Sequence, residues 1–142
     1  MNTSKFAEFM AAQEAVYDDV VAELKSGHKE THWMWFIFPQ LDGLGSSAMA
    51  RKFALATEDE ARAYLAHSVL GRRLLECTRL LLALDETSPA QIFGHPDDLK
   101  LHSCLTLFSA AAPDEPLFQS AIDKFFHGKR DVETLQLLGR TS

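Results

Sequence analysis

The stretch VLGRRLLECTRLLLAL, residues 69–84, decides the fold class of this chain. Its apolar side chains recur at the spacing of an α-helix and cover a broad arc of its surface: Leu70, Leu74, Leu75, Cys77, Leu81, Leu82 and Leu84. A helix with so wide an apolar arc packs against neighbours on more than one side. The segment is therefore predicted to be a central helix in a core built of helices.

The segments on either side repeat this pattern. Residues 5–25 carry an apolar stripe of helical period. Further helices are predicted to begin at polar capping residues, some with a proline close behind: Ser46 or Ser47, Thr57, Ser88, Asp114 and Asp131. Strands of alternating apolar and polar residues are not evident. The sequence thus predicts one all-α domain over residues 1–142, with about seven or eight helices and one aromatic loop segment.

Length and charge limit the classes of function. The chain has 142 residues, which is enough to form a core without a metal or a disulfide. Its 14 Lys and Arg against 20 Asp and Glu give a net charge of −6. Because a negative protein is repelled by a phosphate backbone, no nucleic-acid partner is expected.

Three features of the sequence favour a cytoplasmic protein. The longest uninterrupted apolar run, residues 33–38, is far too short to cross a membrane, so no membrane association is expected. Charged residues interrupt the first twenty positions, which excludes a signal-peptide core there. Cys77 and Cys104 lie inside predicted helices and are interpreted as small buried apolar residues in a reducing compartment. A catalytic thiol is the alternative interpretation.

The segment HWMWFIFPQLDGLGSS, residues 32–47, departs from the helical pattern. It is expected to form a helical turn or an extended buried loop, because Pro39 disfavours helical angles in the residue before it. Trp33 and Trp35, bracketed by His32 and Gln40, would form an aromatic wall suited to a planar ring, a nucleobase or a cationic head group. Core packing is the alternative for both tryptophans.

Polar side chains also fall on the apolar faces of two predicted helices. Gln13 and Tyr17 lie inside the apolar arc of the first helix, where a buried amide needs hydrogen-bond partners. Lys100 lies at the border of the apolar arc in the helix after Pro96, one turn from Asp97. The alternatives are a structural hydrogen bond for Gln13 and a lysine that extends along the surface for Lys100.

These residues suggest a pocket for a nucleotide-like or phosphorylated metabolite. Gly43 and Gly45 form a bend whose backbone N–H groups, together with Lys29, would hold an anion, and His32 is the first candidate for proton transfer. The expected lining comprises Gln13, Tyr17, Lys29, His32, Trp33, Trp35, Gln40, Gly43, Gly45, Lys100 and Ser103. No cofactor is specified, and no metal site is predicted. A non-catalytic helical interaction module is the alternative, and whether the protein is an enzyme stays open.

Several blocks of the chain resemble one family. They are AQEAVY at 12–17, the aromatic segment at 32–47, EARAYL at 60–65, LGRRL at 70–74, IFGHPDDLKL at 92–101, SCLTLF at 103–108 and FHGKRDVETL at 126–135. This set resembles the family called domain of unknown function 1810, some members of which are labelled calpastatin. The resemblance implies an all-helical fold and, from its bacterial members, a soluble protein. It implies no particular activity.

Overall fold

The computed structural model describes residues 3–140 and has nine helices in that range. They are α1 (Thr3–Ser26), α2 (Met34–Ile37), α3 (Ala48–Lys52), α4 (Glu58–Ala66), α5 (Leu70–Leu82), α6 (Pro89–Phe93), α7 (Asp97–Ala111), α8 (Pro116–Phe126) and α9 (Val132–Leu137). No strand occurs between residues 3 and 140, where Leu41 and Leu55 form one isolated bridge. The all-α class is confirmed. The helix number exceeds the prediction because the aromatic segment contributes the short helix α2.

Two helices form the centre of the molecule. Helix α5 packs against α1, α4 and α8, as its broad apolar arc predicted. Helix α7 packs against α4, α6, α8 and α9, and residues 103–111 are all buried. Its polar side chains are satisfied within the fold, since Ser109 donates to the Thr106 carbonyl and Thr106 Oγ1 accepts from the Asp131 N–H. The most buried helix is therefore α7.

The helix starts follow the capping chemistry of the sequence. Side-chain oxygens of Ser47, Thr57, Ser88 and Asp131 each accept a hydrogen bond from the first turn of the helix that follows. Helix α8 differs, because Glu115 rather than Asp114 caps it, with Oε2 accepting from the Leu117 N–H. Glu115 is the residue directly before Pro116, so its carboxylate reaches the first turn.

The junction of α4 and α5 depends on one glycine. Gly71 is buried in the first turn of α5, directly against the C-terminal end of α4. A Cβ atom on this residue would lie 1.8 Å from the carbonyl oxygen of Leu65. Only glycine allows the two helices to approach this closely. The atom that a Cβ would meet belongs to the backbone of α4, which cannot move aside as a flexible side chain could.

Candidate functional site

A cleft of about 550 Å³ lies between the segment around α2 and α3, the first half of α7, and the start of α9. This volume is in the range of small-molecule sites. The lining consists of Trp35, Gln40, Leu44, Gly45, Ser46, Ser47, Ala50, Pro96, Leu99, Lys100, Ser103, Asp131 and Glu133. Five residues of the predicted site meet here: Trp35, Gln40, Gly45, Lys100 and Ser103.

One end of the cleft is aromatic and cationic. The Lys100 ammonium lies 5.9 Å from the centroid of the half-buried Trp35 ring, within range of a cation–π interaction. Lys100 Nζ also donates to Asp97 Oδ1 at 3.1 Å, while Lys29 Nζ lies 2.8 Å from Asp97 Oδ2. Burial raises the pKa of Asp97, but the two ammonium groups outweigh it and lower the pKa. Two lysines thus share one ionised carboxylate, leaving one positive charge in excess.

Lys29 belongs to this charge network without lining the cleft. Only 7% of its side chain is exposed, compared with 21% for Lys100. Its ammonium lies 5.1 Å from the ring centroid of Trp33. Lys29 therefore holds the Asp97 carboxylate in place by an ion pair formed outside the cleft. Lys100 is the cation that a ligand in the cleft would contact.

The cleft also has two acidic lining residues, Asp131 and Glu133. Asp131 Oδ2 accepts hydrogen bonds from the Thr134 N–H at 3.1 Å, Thr134 Oγ1 at 2.6 Å and Ser103 Oγ at 3.3 Å. Glu133 is exposed, and its carboxylate forms no hydrogen bond or ion pair with any described residue. Sequence reasoning missed both acids as site residues, because a helix cap and a first-turn acid have an ordinary structural explanation.

The bend before α3 forms one wall of the cleft and depends on Gly45. A Cβ atom there would lie 2.5 Å from the Ala50 Cβ and 3.2 Å from Gln40 Nε2. The side chain of Gln40 forms no hydrogen bond among residues 3–140, so its amide is available to a ligand. Gly43 does not line the cleft. It lines a smaller adjacent cavity of about 270 Å³, which shares Leu44 and Glu133 with the cleft.

Gln13 is buried as predicted but does not reach the cleft. Its Nε2 donates to the Phe36 carbonyl at 2.7 Å and to Tyr64 Oη at 3.1 Å. Its Oε1 accepts from Arg73 at 3.2 Å. The amide is fully satisfied by the protein, and it joins α1 to α2, α4 and α5 inside the core.

Tyr17 is also placed away from the cleft, on the interface of α1 and α5. Its hydroxyl donates to Glu76 and lies 3.8 Å from Cys77 Sγ, while the Arg73 guanidinium covers its ring at 4.7 Å. Burial is the main reason that the pKa of Tyr17 is raised. Its position and these partners describe a structural contact between two helices.

The two tryptophans of the aromatic segment occupy different environments. Trp33 is fully buried, with its indole N–H donating to Glu23 Oε1 at 3.0 Å, whereas Trp35 borders the cleft. They do not form a shared wall, because Trp33 precedes α2 and is fully buried in the core, whereas Trp35 lies within α2 and is only half-buried. His32 is exposed and is not part of the lining.

Glu23 anchors the loop that leads into the aromatic segment. Besides Trp33, its carboxylate accepts from the Glu30 N–H at 2.7 Å, the Thr31 N–H at 3.0 Å and Thr31 Oγ1 at 2.6 Å. Burial by itself raises the pKa of Glu23, but these hydrogen bonds outweigh it and lower the pKa to about 2. The ionised carboxylate therefore stabilises the folded state.

Glu23→Gln is expected to lower the free energy of unfolding at pH 7 by about 2 kcal/mol, after allowance for solvent screening. A depressed folded pKa contributes stability above the ordinary value and loses it as the pH falls through about 4.5 toward 2. The difference between wild type and Glu23→Gln in urea unfolding should thus shrink by more than half from pH 7 to pH 3. Glu30→Gln, an exposed acid in the same loop, is the control. An unchanged difference at the two pH values would contradict this role.

Neither of the two cysteines lines the cleft. Burial raises the pKa of Cys77 to about 12 and that of Cys104 well above its ordinary value, so both free thiols stay protonated. In the described range no three His, Cys, Asp or Glu side chains are grouped so as to hold a metal ion. None of the helices in residues 3–140 is long and apolar enough to cross a membrane.

Comparison with known proteins gives a family and a fold. The chain is similar over 95% of its length to a crystal structure of the conserved hypothetical protein Rv1873 from Mycobacterium tuberculosis. The identity is 47%, the TM-score is 0.92, and 96% of that chain is covered. No curated protein matches. The family model described as "Protein of unknown function (DUF1810)" matches residues 3–138, so the chain belongs to the DUF1810 family.

Proposed function

We propose that the protein binds a small nucleotide-like or phosphorylated metabolite in the cleft. The observation that carries this proposal is the pairing of a half-buried indole with a cation, where the Lys100 ammonium lies 5.9 Å from the Trp35 ring inside a cavity of about 550 Å³. An aromatic face binds planar or sugar rings, and an ammonium attracts phosphate. The free amide of Gln40 adds hydrogen bonds that fix orientation.

The charge network behind Lys100 supports anion binding. Asp97 is shared with Lys29, so it neutralises neither lysine completely. Asp97 also holds the Lys100 ammonium in place before a ligand arrives, which lowers the entropic cost of binding. Binding is the function that this lining supports. Proton transfer by His32 has no support, because His32 lies outside the cleft.

Lys100→Met is expected to weaken ligand binding about tenfold or more, because it removes a charge-assisted contact and retains the length of the side chain. A panel of nucleotides and sugar phosphates would be screened by thermal shift, and the dissociation constant of each hit measured by calorimetry. Lys129→Met, which removes an exposed lysine outside the cleft, is the matched control. Equal affinities of Lys100→Met and wild type for every hit would contradict the proposal.

A second candidate function is a helical interaction module. Four large apolar side chains are exposed on α3, α7 and α9: Met49, Leu99, Val132 and Leu137. Leu99 lines the cleft, and Leu137 lines the smaller cavity that shares Leu44 and Glu133 with it. Exposed apolar groups that cluster on one face are typical of a protein contact. If no member of the panel stabilises the protein, this second function becomes the better account of the same surface.

We also propose a cytoplasmic location. It is supported by Cys77 and Cys104, which are both free and buried. Unpaired structural thiols are usual in reducing compartments, whereas disulfides are common in secreted domains.

A further inference from the structure

The charges of the cleft are ordered along α7. Asp97, Lys100 and Ser103 follow at intervals of three residues, about 4.5 Å of helix rise each. Lys100 points to Asp97, one turn toward the start of the helix. Ser103 contacts Asp131 one turn further along. The Lys100 ammonium and the carboxylates of Asp131 and Glu133 therefore line one cavity, with Ser103 of α7 lying between Lys100 and Asp131.

These opposite charges do not neutralise each other. In the part of the chain that the structure describes, Lys100 forms no ion pair with Asp131 or Glu133. Separated charges in an open cleft keep their water until a ligand with complementary ends replaces it. Such a ligand needs an anionic group near Lys100 and hydrogen-bond donors about one helical turn away.

The acidic end has the acceptors for such donors. The three hydrogen bonds to the Asp131 carboxylate all reach Oδ2, and Oδ1 has no partner in residues 3–140. The Ser103 hydroxyl is shared, because it also lies 3.1 Å from the Leu99 carbonyl. Glu133 presents a second carboxylate without a protein partner in the same range. Carboxylates repel a phosphate but accept strong hydrogen bonds from hydroxyl groups, as acidic residues do with the hydroxyls of ribose.

Building on the proposed function, we infer that the ligand is a phosphate ester of a polyhydroxylated sugar, bound with its phosphate at Lys100 and its hydroxyls at Asp131 and Glu133. Glu133 is the specificity-determining residue, because its side chain has no structural hydrogen bond to lose among the described residues. Asp131 combines the same contact with its role as the cap of α9.

The test compares two probes that share base and phosphate, AMP and 2′,3′-dideoxy-AMP, with ribose 5-phosphate as a third probe that lacks the base. Wild type is expected to bind AMP about tenfold more tightly than the dideoxy form, from one or more charge-assisted hydrogen bonds. Glu133→Gln should reduce this preference to threefold or less, and Asp131→Asn, which keeps the helix cap, should reduce it as well. Glu8→Gln, an exposed acid on α1, is the control and should retain it.

The outcomes separate this inference from the proposed function. One outcome is that AMP and its dideoxy form bind with equal affinity and Lys100→Met weakens the binding of both. The cleft then binds phosphate esters without recognising the sugar hydroxyls, and this inference is overturned. The inference is also overturned if both Glu133→Gln and Asp131→Asn retain the full preference for AMP over the dideoxy form. If the only members of the panel that bind are those without free sugar hydroxyls, the sugar phosphate is excluded. If nothing in the panel binds, the proposed function fails first.

Discussion

Replacing Gly71 with alanine is expected to lower the free energy of unfolding by about 3 kcal/mol or more. The added methyl group would lie 1.8 Å from the Leu65 carbonyl oxygen, far inside van der Waals contact. Relief requires α4 and α5 to separate, which opens gaps on both sides of the contact. In an unconstrained helix the same substitution gains about 1 kcal/mol. A loss at this position therefore comes from the helix contact, and the measured value is smaller than the cost of that contact by about 1 kcal/mol.

The effect of Gly71→Ala is measured by urea unfolding and compared with Arg72→Ala. Arg72 is the next residue of α5 and is exposed, so its substitution tests the same helix without the contact. Arg72→Ala should change the free energy of unfolding by less than about 0.5 kcal/mol. A Gly71→Ala protein as stable as wild type would show that the two helices do not approach as described.

Gln13→Met is expected to cost about 2–4 kcal/mol of folding stability, although methionine has nearly the same length and volume as glutamine. The substitution leaves the Phe36 carbonyl, the Tyr64 hydroxyl and the Arg73 guanidinium without the partners that Gln13 supplies. The Phe36 carbonyl loses a hydrogen bond in a setting that water does not reach. Because one amide serves three segments, the loss exceeds that of a single hydrogen bond.

The matched control is Gln91→Met on α6, which changes the same atoms at an exposed position. Urea unfolding should show little change there. Equal stability of Gln13→Met and wild type would exclude a structural role for the amide and restore it as a candidate for another function.

The helices could be predicted from the sequence because each carries its signal locally. The helical spacing of apolar residues and the polar capping residues both involve positions close together in the sequence. Thr57 directly before α4 and Ser88 directly before α6 are examples of such caps. The capping residue of α8 is Glu115 instead of the predicted Asp114, because both are acids close before Pro116. The extra helix α2 is a single turn, too short for a period to be recognised.

The site could be predicted only in part, because periodicity tells which way a side chain points but not what it meets. Gln13 does face inward, but the space it faces is core, filled by Phe36 and Tyr64. Trp33 and Trp35 look equivalent in the sequence and separate only when the turn of α2 is known. The pairing of α7 with α9, which brings Asp131 to Ser103, joins residues 28 apart in sequence.

The separate environments of the two indoles give the molecule two intrinsic optical reporters. Trp33 is fully buried, so its emission follows the integrity of the fold. Trp35 borders solvent beside an ammonium, so its emission follows whatever enters or leaves the cavity. Trp33→Phe and Trp35→Phe would each leave one signal, which allows unfolding and occupancy to be followed separately without an attached dye.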